Sequence, residues 1–222
     1  MTPPVPLTRG RLRTPRAAAV AGILFSGLLI AAFLLFLSAV PRDSAEHGTW
    51  LVAGLDRVVL AINLIPFAGV AFLWFIGVVR DRLAEAEDRL FATVFLGSGL
   101  LFLVLMFVAT AVFGAIVLVH AADPEALRDS PAFALARAFA YTLVNVYAIR
   151  MAGVFMLITS TIALRTAFIA RWLAAPGFAL GLFLLFASQW VDWSFLVFPL
   201  WALLISVYLL VTSLARKAAS AR

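Results

Sequence analysis

Six polar residues lie in or beside the long apolar stretches of this chain, and their types and spacing could support chemistry. Arg150 is the most informative, because it places a permanent cation inside an otherwise uncharged stretch. A guanidinium keeps its proton in proteins, and a charge at the centre of a membrane helix costs roughly 2.5–3.5 kcal/mol on insertion scales. The side chain must therefore reach water, carbonyl oxygens or an anion.

Helical spacing places other polar residues at a depth similar to that of Arg150. Arg150 lies 15 residues before Arg165, and Asn63 lies 16 residues before Val79. Those separations correspond to about 22 Å and about 24 Å along ideal helices. Asp56 precedes Asn63 by seven residues, so it lies on nearly the same helical face, two turns further out. The predicted outer-half pocket consists of Arg150, Asn63, Asp56, Asn145, Tyr147 and Asp192.

The sequence leaves two interpretations of Arg150 open. In the first, the pocket opens to the outside and Arg150 anchors an anion or a lipid headgroup. In the second, the side chain leans outward and holds helices together by pairing with Asp56, or failing that with Asp192.

Pro66 predicts a helix kink three residues after Asn63. Proline has no amide to bond to the Ile62 carbonyl, and its ring disturbs the preceding turn. We expect a static bend whose freed carbonyl is satisfied by a neighbouring group, rather than an ion site.

No catalytic, metal or cofactor site is predicted. The chain has no cysteine, and its two histidines, His47 and His120, both fall near the outer ends of apolar spans. It also has no Walker, GxSxG or HExxH motif.

The composition identifies the solvent that these residues meet. Hydrophobic residues make up 65% of the 222 residues, charged residues 13%, and the mean hydropathy is +1.10. Soluble domains are only about 45–50% apolar, so a bilayer is the expected partner. We predict an all-α membrane protein, a bundle of six transmembrane helices over about 17–40, 58–79, 91–119, 139–164, 172–190 and 195–214.

Basic flanks complete the predicted organisation. Residues 1–16 are expected to form a disordered basic arm, and residues 215–222 a basic tail. The first span exceeds the roughly 7–15 apolar residues of a signal peptide, so we expect a retained helix.

The distribution of positive charge predicts the orientation. With six spans, twelve of the 17 Lys and Arg residues fall on the side of the termini and four on the other, while Arg150 lies within a span. The positive-inside rule then places both termini in the cytoplasm of a multi-pass inner or plasma membrane protein. The charged run Arg80–Arg89 contains no Gly or Pro, which favours a helical hairpin on the cytoplasmic side.

Two further patterns concern packing. Gly177 and Gly181 form a GxxxG pair, which favours close helix approach within the monomer or in a dimer. Trp50, Trp190 and Trp193 are expected in an outer aromatic belt, and Trp172 in an inner one.

Three short blocks, Ile65–Gly69, Phe72–Arg82 and Arg171–Leu173, resemble uncharacterised bacterial multi-spanning membrane proteins. The likeness covers the second to the fifth spans. It implies the architecture and no activity.

Three functions are compatible with the sequence. We favour a non-enzymatic accessory, scaffold or sensor protein, then a small transporter or channel around Arg150, then an intramembrane lipid-modifying enzyme. The expected partners are the lipid bilayer and either a second copy of the chain or another membrane protein. Nucleic acid is not expected, because the basic residues flank apolar spans.

Overall fold

A computed structural model of the protein describes residues 15–41, 48, 50–83, 89–128, 130–166 and 171–220. In these ranges the ordered elements are helices and no strand is present. The α-helices are α1 (Pro15–Ala39), α2 (Trp50–Ala53), α3 (Leu55–Leu83), α4 (Arg89–Ala122), α5 (Pro124–Arg128), α6 (Pro131–Thr142), α7 (Ile149–Thr166), α8 (Arg171–Phe186) and α9 (Val197–Ser220). A π-helix, Leu143–Ala148, joins α6 to α7, and the 3₁₀ turns Ser188–Trp190 and Ser194–Leu196 connect α8 to α9.

Within the described part of the chain, five helical stretches are long and apolar enough to cross a membrane: Ala17–Ala39, Leu55–Gly77, Leu90–Ala122, Pro131–Leu164 and Ser194–Ala215. The predicted all-helical fold is confirmed, and these helices fit a membrane protein by length and composition. The fifth predicted span corresponds to α8, which is apolar but has only 16 residues. At about 1.5 Å per residue it measures about 24 Å, less than the roughly 30 Å of a hydrocarbon core.

The helix ends differ from the predicted spans mainly in the fourth. That helical stretch begins at Pro131 rather than near residue 139, because Ser130 caps its N-terminus by accepting a hydrogen bond from the Phe133 amide. α3 continues past Val79 to Leu83, and α4 begins at Arg89. The predicted hairpin turn itself, residues 84–88, lies outside the described residues, as do most of the basic arm and residues 221–222.

Five of the long helices, α1, α3, α4, α7 and α9, surround a common centre, and long helices that follow one another in the chain run antiparallel. α1 packs on α3, α3 on α4, α4 on α7 and α7 on α8, and α9 returns to α1. Two contacts show this for α1 and α3. Gly54, just before α3, lies against Ala39 at the C-terminal end of α1, where a Cβ on Gly54 would be 3.0 Å from the Ala39 Cβ. Phe25, nearer the start of α1, stacks on Phe72, which lies further along α3. Short antiparallel connections make sequence neighbours into spatial neighbours, as is usual in helical bundles.

Aromatic rings fill the common centre of these five helices. Phe25, Phe72, Phe102, Phe155 and Phe198 come from α1, α3, α4, α7 and α9, one from each helix. Their ring centroids lie 4.4 to 6.5 Å apart in stacked, tilted and edge-on pairs. Each is at most 5% exposed. Such offset and edge-on geometries are the favourable ones for aromatic pairs, so the centre of the bundle is a packed core.

α8 contributes no ring to this centre and covers its outside. A Cβ on Gly153 of α7 would lie 2.9 Å from the Gly181 carbonyl oxygen, and one on Gly181 would lie 3.0 Å from the Gly153 carbonyl oxygen. Glycine at both positions therefore permits backbone contact between α7 and α8. The GxxxG pair, Gly177 and Gly181, is thus used for packing within one chain.

A second, smaller core lies beyond the aromatic centre, at the end of the bundle where α1 ends. Trp50 is 1% exposed and contacts the rings of Phe113 and Phe133 at 6.2 and 6.4 Å. α4 has 34 residues, or about 51 Å of helix, enough to extend past the hydrocarbon region and reach this core. Trp50 is therefore a residue of this second core, and its side chain is buried rather than exposed as an interfacial aromatic residue would be.

Candidate functional site

The π-helix Leu143–Ala148 is the irregular element next to Arg150. Its last residues follow a wider hydrogen-bond register, in which the Ile149 amide donates to the Val144 carbonyl five residues earlier. π-Segments of this length are rare and occur frequently at functional sites. Nothing in the local composition indicates the segment, because a π-turn amounts to one extra residue in an otherwise helical sequence.

Arg150 lies where this register returns to that of an α-helix. The Arg150 guanidinium donates to the Val146 carbonyl oxygen at 2.9 Å, and the side chain is half-buried. It thus supplies a charged donor at the point where the backbone pattern changes.

The neighbouring polar side chains also bond to carbonyls of their own helix. The Asn145 amide donates to the Tyr141 carbonyl at 3.1 Å, and the Thr142 hydroxyl donates to the Ala138 carbonyl at 2.8 Å. Tyr147 is 55% exposed. The amide of Asn145 and the hydroxyl of Thr142 thus bond within their own helix and not to each other.

The structure does not bring Asp56 or Asn63 to Arg150. α3 and α7 meet through Phe72 and Phe155, whose ring centroids are 5.3 Å apart at the centre of the bundle. Asp56 and Asn63 are exposed on α3, and the Asn63 amide donates to the Val59 carbonyl at 2.8 Å. Among the described side chains, no hydrogen bond or ion pair joins Arg150 to Asp56. Where the sequence predicted an Arg150–Asp56 pair, the Arg150 guanidinium bonds to a backbone carbonyl of its own helix.

Asp192 and Pro66 both lie on the exposed surface of the chain. Asp192 is exposed in the connection between the two 3₁₀ turns, and the first of these turns contacts the π-helix. α3 remains one continuous helix through Pro66, whose ring is exposed. A proline within a helix is compatible with the predicted static bend.

A small cavity of about 10 Å³ lies under the π-helix, between α4, α7 and the start of α9. Apart from Ser194, its lining is apolar and includes Val144, Ala148 and Ile149 together with core phenylalanines. About 10–15 Å³ is the minimum that holds one water molecule. The cavity is therefore a packing defect of the core, and none of the residues of the predicted pocket lines it.

Buried polar atoms without a hydrogen-bond partner occur away from the predicted pocket. Ser160 Oγ and Trp201 Nε1 are two of them, and both lie 2.4 Å from the position that a Cβ on Gly177 would take. The structure thus brings a hydroxyl and an indole N–H from α7 and α9 together over a glycine of α8. Sequence reasoning missed this cluster, because each residue is an ordinary member of an apolar helix.

In comparisons with known proteins, no family model, curated protein or solved structure matches this chain.

Proposed function

We propose that this protein is a non-enzymatic accessory or scaffold component of a membrane, whose outer surfaces matter more than any interior pocket. The observation that carries the proposal is the aromatic centre of the bundle. Five helices each place one phenylalanine there, and the rings contact one another directly. A solute passing between the helices would have to displace several rings at once.

The packing physics supports a static centre. Cores as dense as this one transmit strain and do not deform continuously. Opening a path would break ring pairs that contribute about 0.5–1.5 kcal/mol each beyond their area. The cavity beneath the π-helix holds only about 10 Å³, so it offers no starting point for such a path.

The proposed topology has six crossings, with both termini in the cytoplasm of an inner or plasma membrane. α8 supports this count despite its length, because it runs antiparallel to both α7 and α9: Gly181 lies against Gly153, and Trp172 lies against Tyr208 at 6.1 Å. Local thinning of the bilayer accommodates a short crossing helix at modest cost. The positive-inside asymmetry then sets the orientation.

A small transporter or channel is the second candidate, and the π-helix beside Arg150 is the observation that favours it. π-Segments are often found where helices rearrange or bind ligands, and a half-buried guanidinium attracts anions. In this candidate, an anion would replace the Val146 carbonyl as the partner of Arg150.

The test is transport by the full chain reconstituted in liposomes. Fluxes of chloride, phosphate and potassium are measured with internal dyes and compared with those of empty liposomes. We expect no flux above empty liposomes from the wild-type protein. A wild-type flux that is lost in Arg150→Gln while the protein remains folded would overturn the scaffold proposal and support the second candidate.

A lipid analysis of the same liposomes tests the enzymatic alternative. Incubation with the protein should leave the mass spectrum of the lipids unchanged, whereas time-dependent conversion of a lipid species would contradict a non-enzymatic role.

A further inference from the structure

The outward face of α3 carries a heptad seam. Residues 60, 63, 67, 70, 74 and 77 follow one another at alternating spacings of three and four, the repeat by which two helices pack in a left-handed coil. All six are exposed in the single chain: Leu60, Asn63, Phe67, Val70, Trp74 and Gly77. α3 packs on α1 and α4 through its other faces, so this seam is not used within the chain.

Asn63 is the one polar member of the seam, and it lies in the hydrocarbon region. The apolar stretch of this helix is Leu55–Gly77, and its midpoint is Pro66. Asn63 therefore lies only about 4.5 Å from the middle of the span, at about 1.5 Å per residue. An amide facing lipid there has no water to bond to, and polar groups in lipid are costly unless paired.

The hydrogen bonding of Asn63 leaves part of the amide unused. One N–H donates to the Val59 carbonyl at 2.8 Å, whereas an amide has a second N–H and an oxygen that accepts. The adjacent Ile62 carbonyl also lacks its regular donor, because residue 66 is proline. A partner that supplies both a donor and an acceptor at this depth would satisfy the amide.

We propose that the α3 seam is a dimerisation surface and that its occupant is α3 of a second copy of this chain. Two copies inserted in the same orientation place their α3 helices parallel, so a two-fold axis along the membrane normal sets each seam residue opposite itself. Asn63 then meets Asn63 of the partner, and each amide donates its free N–H to the oxygen of the other. Because the amide is self-complementary, a second copy of the chain can satisfy it, whereas lipid hydrocarbon cannot.

The rest of the seam fits a helix contact of this type. A buried asparagine at one core position of a coiled coil fixes register and two-strand pairing. A Cβ on Gly77 would meet no atom within 4 Å, so the inner end of the seam is open to a closely approaching helix. The next position outward in the repeat is Asp56, in the first turn of α3, where the seam reaches the aqueous boundary and charge is hydrated. The aromatic side chains of Phe67 and Trp74 supply most of the contact area between.

The absence of cysteine makes crosslinking a clean test, since each introduced thiol is the only one in the chain. Val70→Cys places it in the seam, and Leu101→Cys places it on the lipid-facing side of α4. The parent residues are 55% and 53% exposed and lie at comparable depths, about 20 Å and about 18 Å from the inner ends of their helices. On oxidation of the full-length protein in liposomes, Val70→Cys should give a disulfide-linked dimer in preference to Leu101→Cys. Equal yields from the two variants would overturn the proposal.

The role of the amide is tested by dimer dissociation in liposomes, measured by energy transfer between labelled copies as protein is diluted into lipid. Asn63→Leu should raise the dissociation constant about 3- to 30-fold, the range expected for interhelical side-chain hydrogen bonds in membranes. Asn145→Leu is the matched control, with the same chemical change on another helix, and should leave the constant unchanged. A monomeric wild type, or an unchanged dissociation constant in Asn63→Leu, would refute the dimer as proposed. The transport test above has a separate readout, so the scaffold proposal and this one can fail independently.

Discussion

Replacing Phe72 by alanine is the most direct test of the aromatic centre. Phe72 is fully buried, and its ring lies 4.4 to 6.4 Å from those of Phe25, Phe75, Phe102, Phe155 and Phe198. Truncation removes all of these ring contacts and leaves a cavity enclosed by the remaining rings, which cannot close it without shifting several helices.

The expected magnitude follows from the part of the cost that survives in a bilayer. Phe→Ala in soluble cores costs about 3–5 kcal/mol, which combines transfer to water with the cavity left behind. Between helices in lipid the transfer share is small, because lipid tails are as apolar as the core. The cavity and the lost ring pairs remain, so we expect Phe72→Ala to lower the free energy of unfolding by about 2–4 kcal/mol.

Phe186→Ala provides the matched control, since Phe186 is 72% exposed at the end of α8. An exposed substitution of this kind should change the free energy of unfolding by no more than about 0.5 kcal/mol. The assay is reversible unfolding by sodium dodecyl sulfate in mixed micelles, followed by circular dichroism. If Phe72→Ala is no more destabilising than Phe186→Ala, the ring cluster does not hold the bundle together and the reasoning is refuted.

Three further outcomes follow from the helix contacts. Gly177→Ala should lower the free energy of unfolding by about 1–3 kcal/mol, because the new Cβ would lie 2.4 Å from Ser160 Oγ and Trp201 Nε1. Its control is Gly27→Ala, where a Cβ meets no atom within 4 Å and the same unfolding assay should show a neutral or stabilising effect. A double-mutant cycle of Arg150→Gln with Asp56→Asn should give a coupling energy below about 0.5 kcal/mol, since the Arg150 guanidinium bonds to the Val146 carbonyl. A coupling energy near 2 kcal/mol would instead show that the two side chains pair directly. A reporter fused to the C-terminus should be active in the cytoplasm, as a fusion at the N-terminus should be, and opposite locations would mean that α8 does not cross.

Much of the architecture was predictable because the bilayer imposes a strong local rule. Backbone amides in hydrocarbon must be paired within the segment, so a long uncharged run has to be a helix. The runs containing Asn63 and Pro66 and the run ending at His120 were therefore identified correctly as helices. Helix ends were less predictable where a cap decides them, as Ser130 does for α6.

The candidate site was predicted less well, because depth along a helix says nothing about direction around the bundle. Asn63 and Arg150 were placed at similar depths, yet Asn63 faces outward from α3 and Arg150 turns back to its own helix. The π-helix had no sequence signal, and it changes the direction of every side chain after Leu143 relative to those before it.

The sequence by itself determined the helical class and the length and apolar character of the long helices, since these depend on composition and local hydrogen bonding. Only the tertiary structure decided which of the twenty phenylalanines meet at the centre, that Trp50 belongs to a second core, and that Gly153 and Gly181 bring α7 and α8 into backbone contact. In a membrane protein nearly every surface is apolar, so hydrophobicity alone does not distinguish a core-facing side chain from a lipid-facing one. Shape complementarity between helices makes that distinction, and it exists only once the helices are packed.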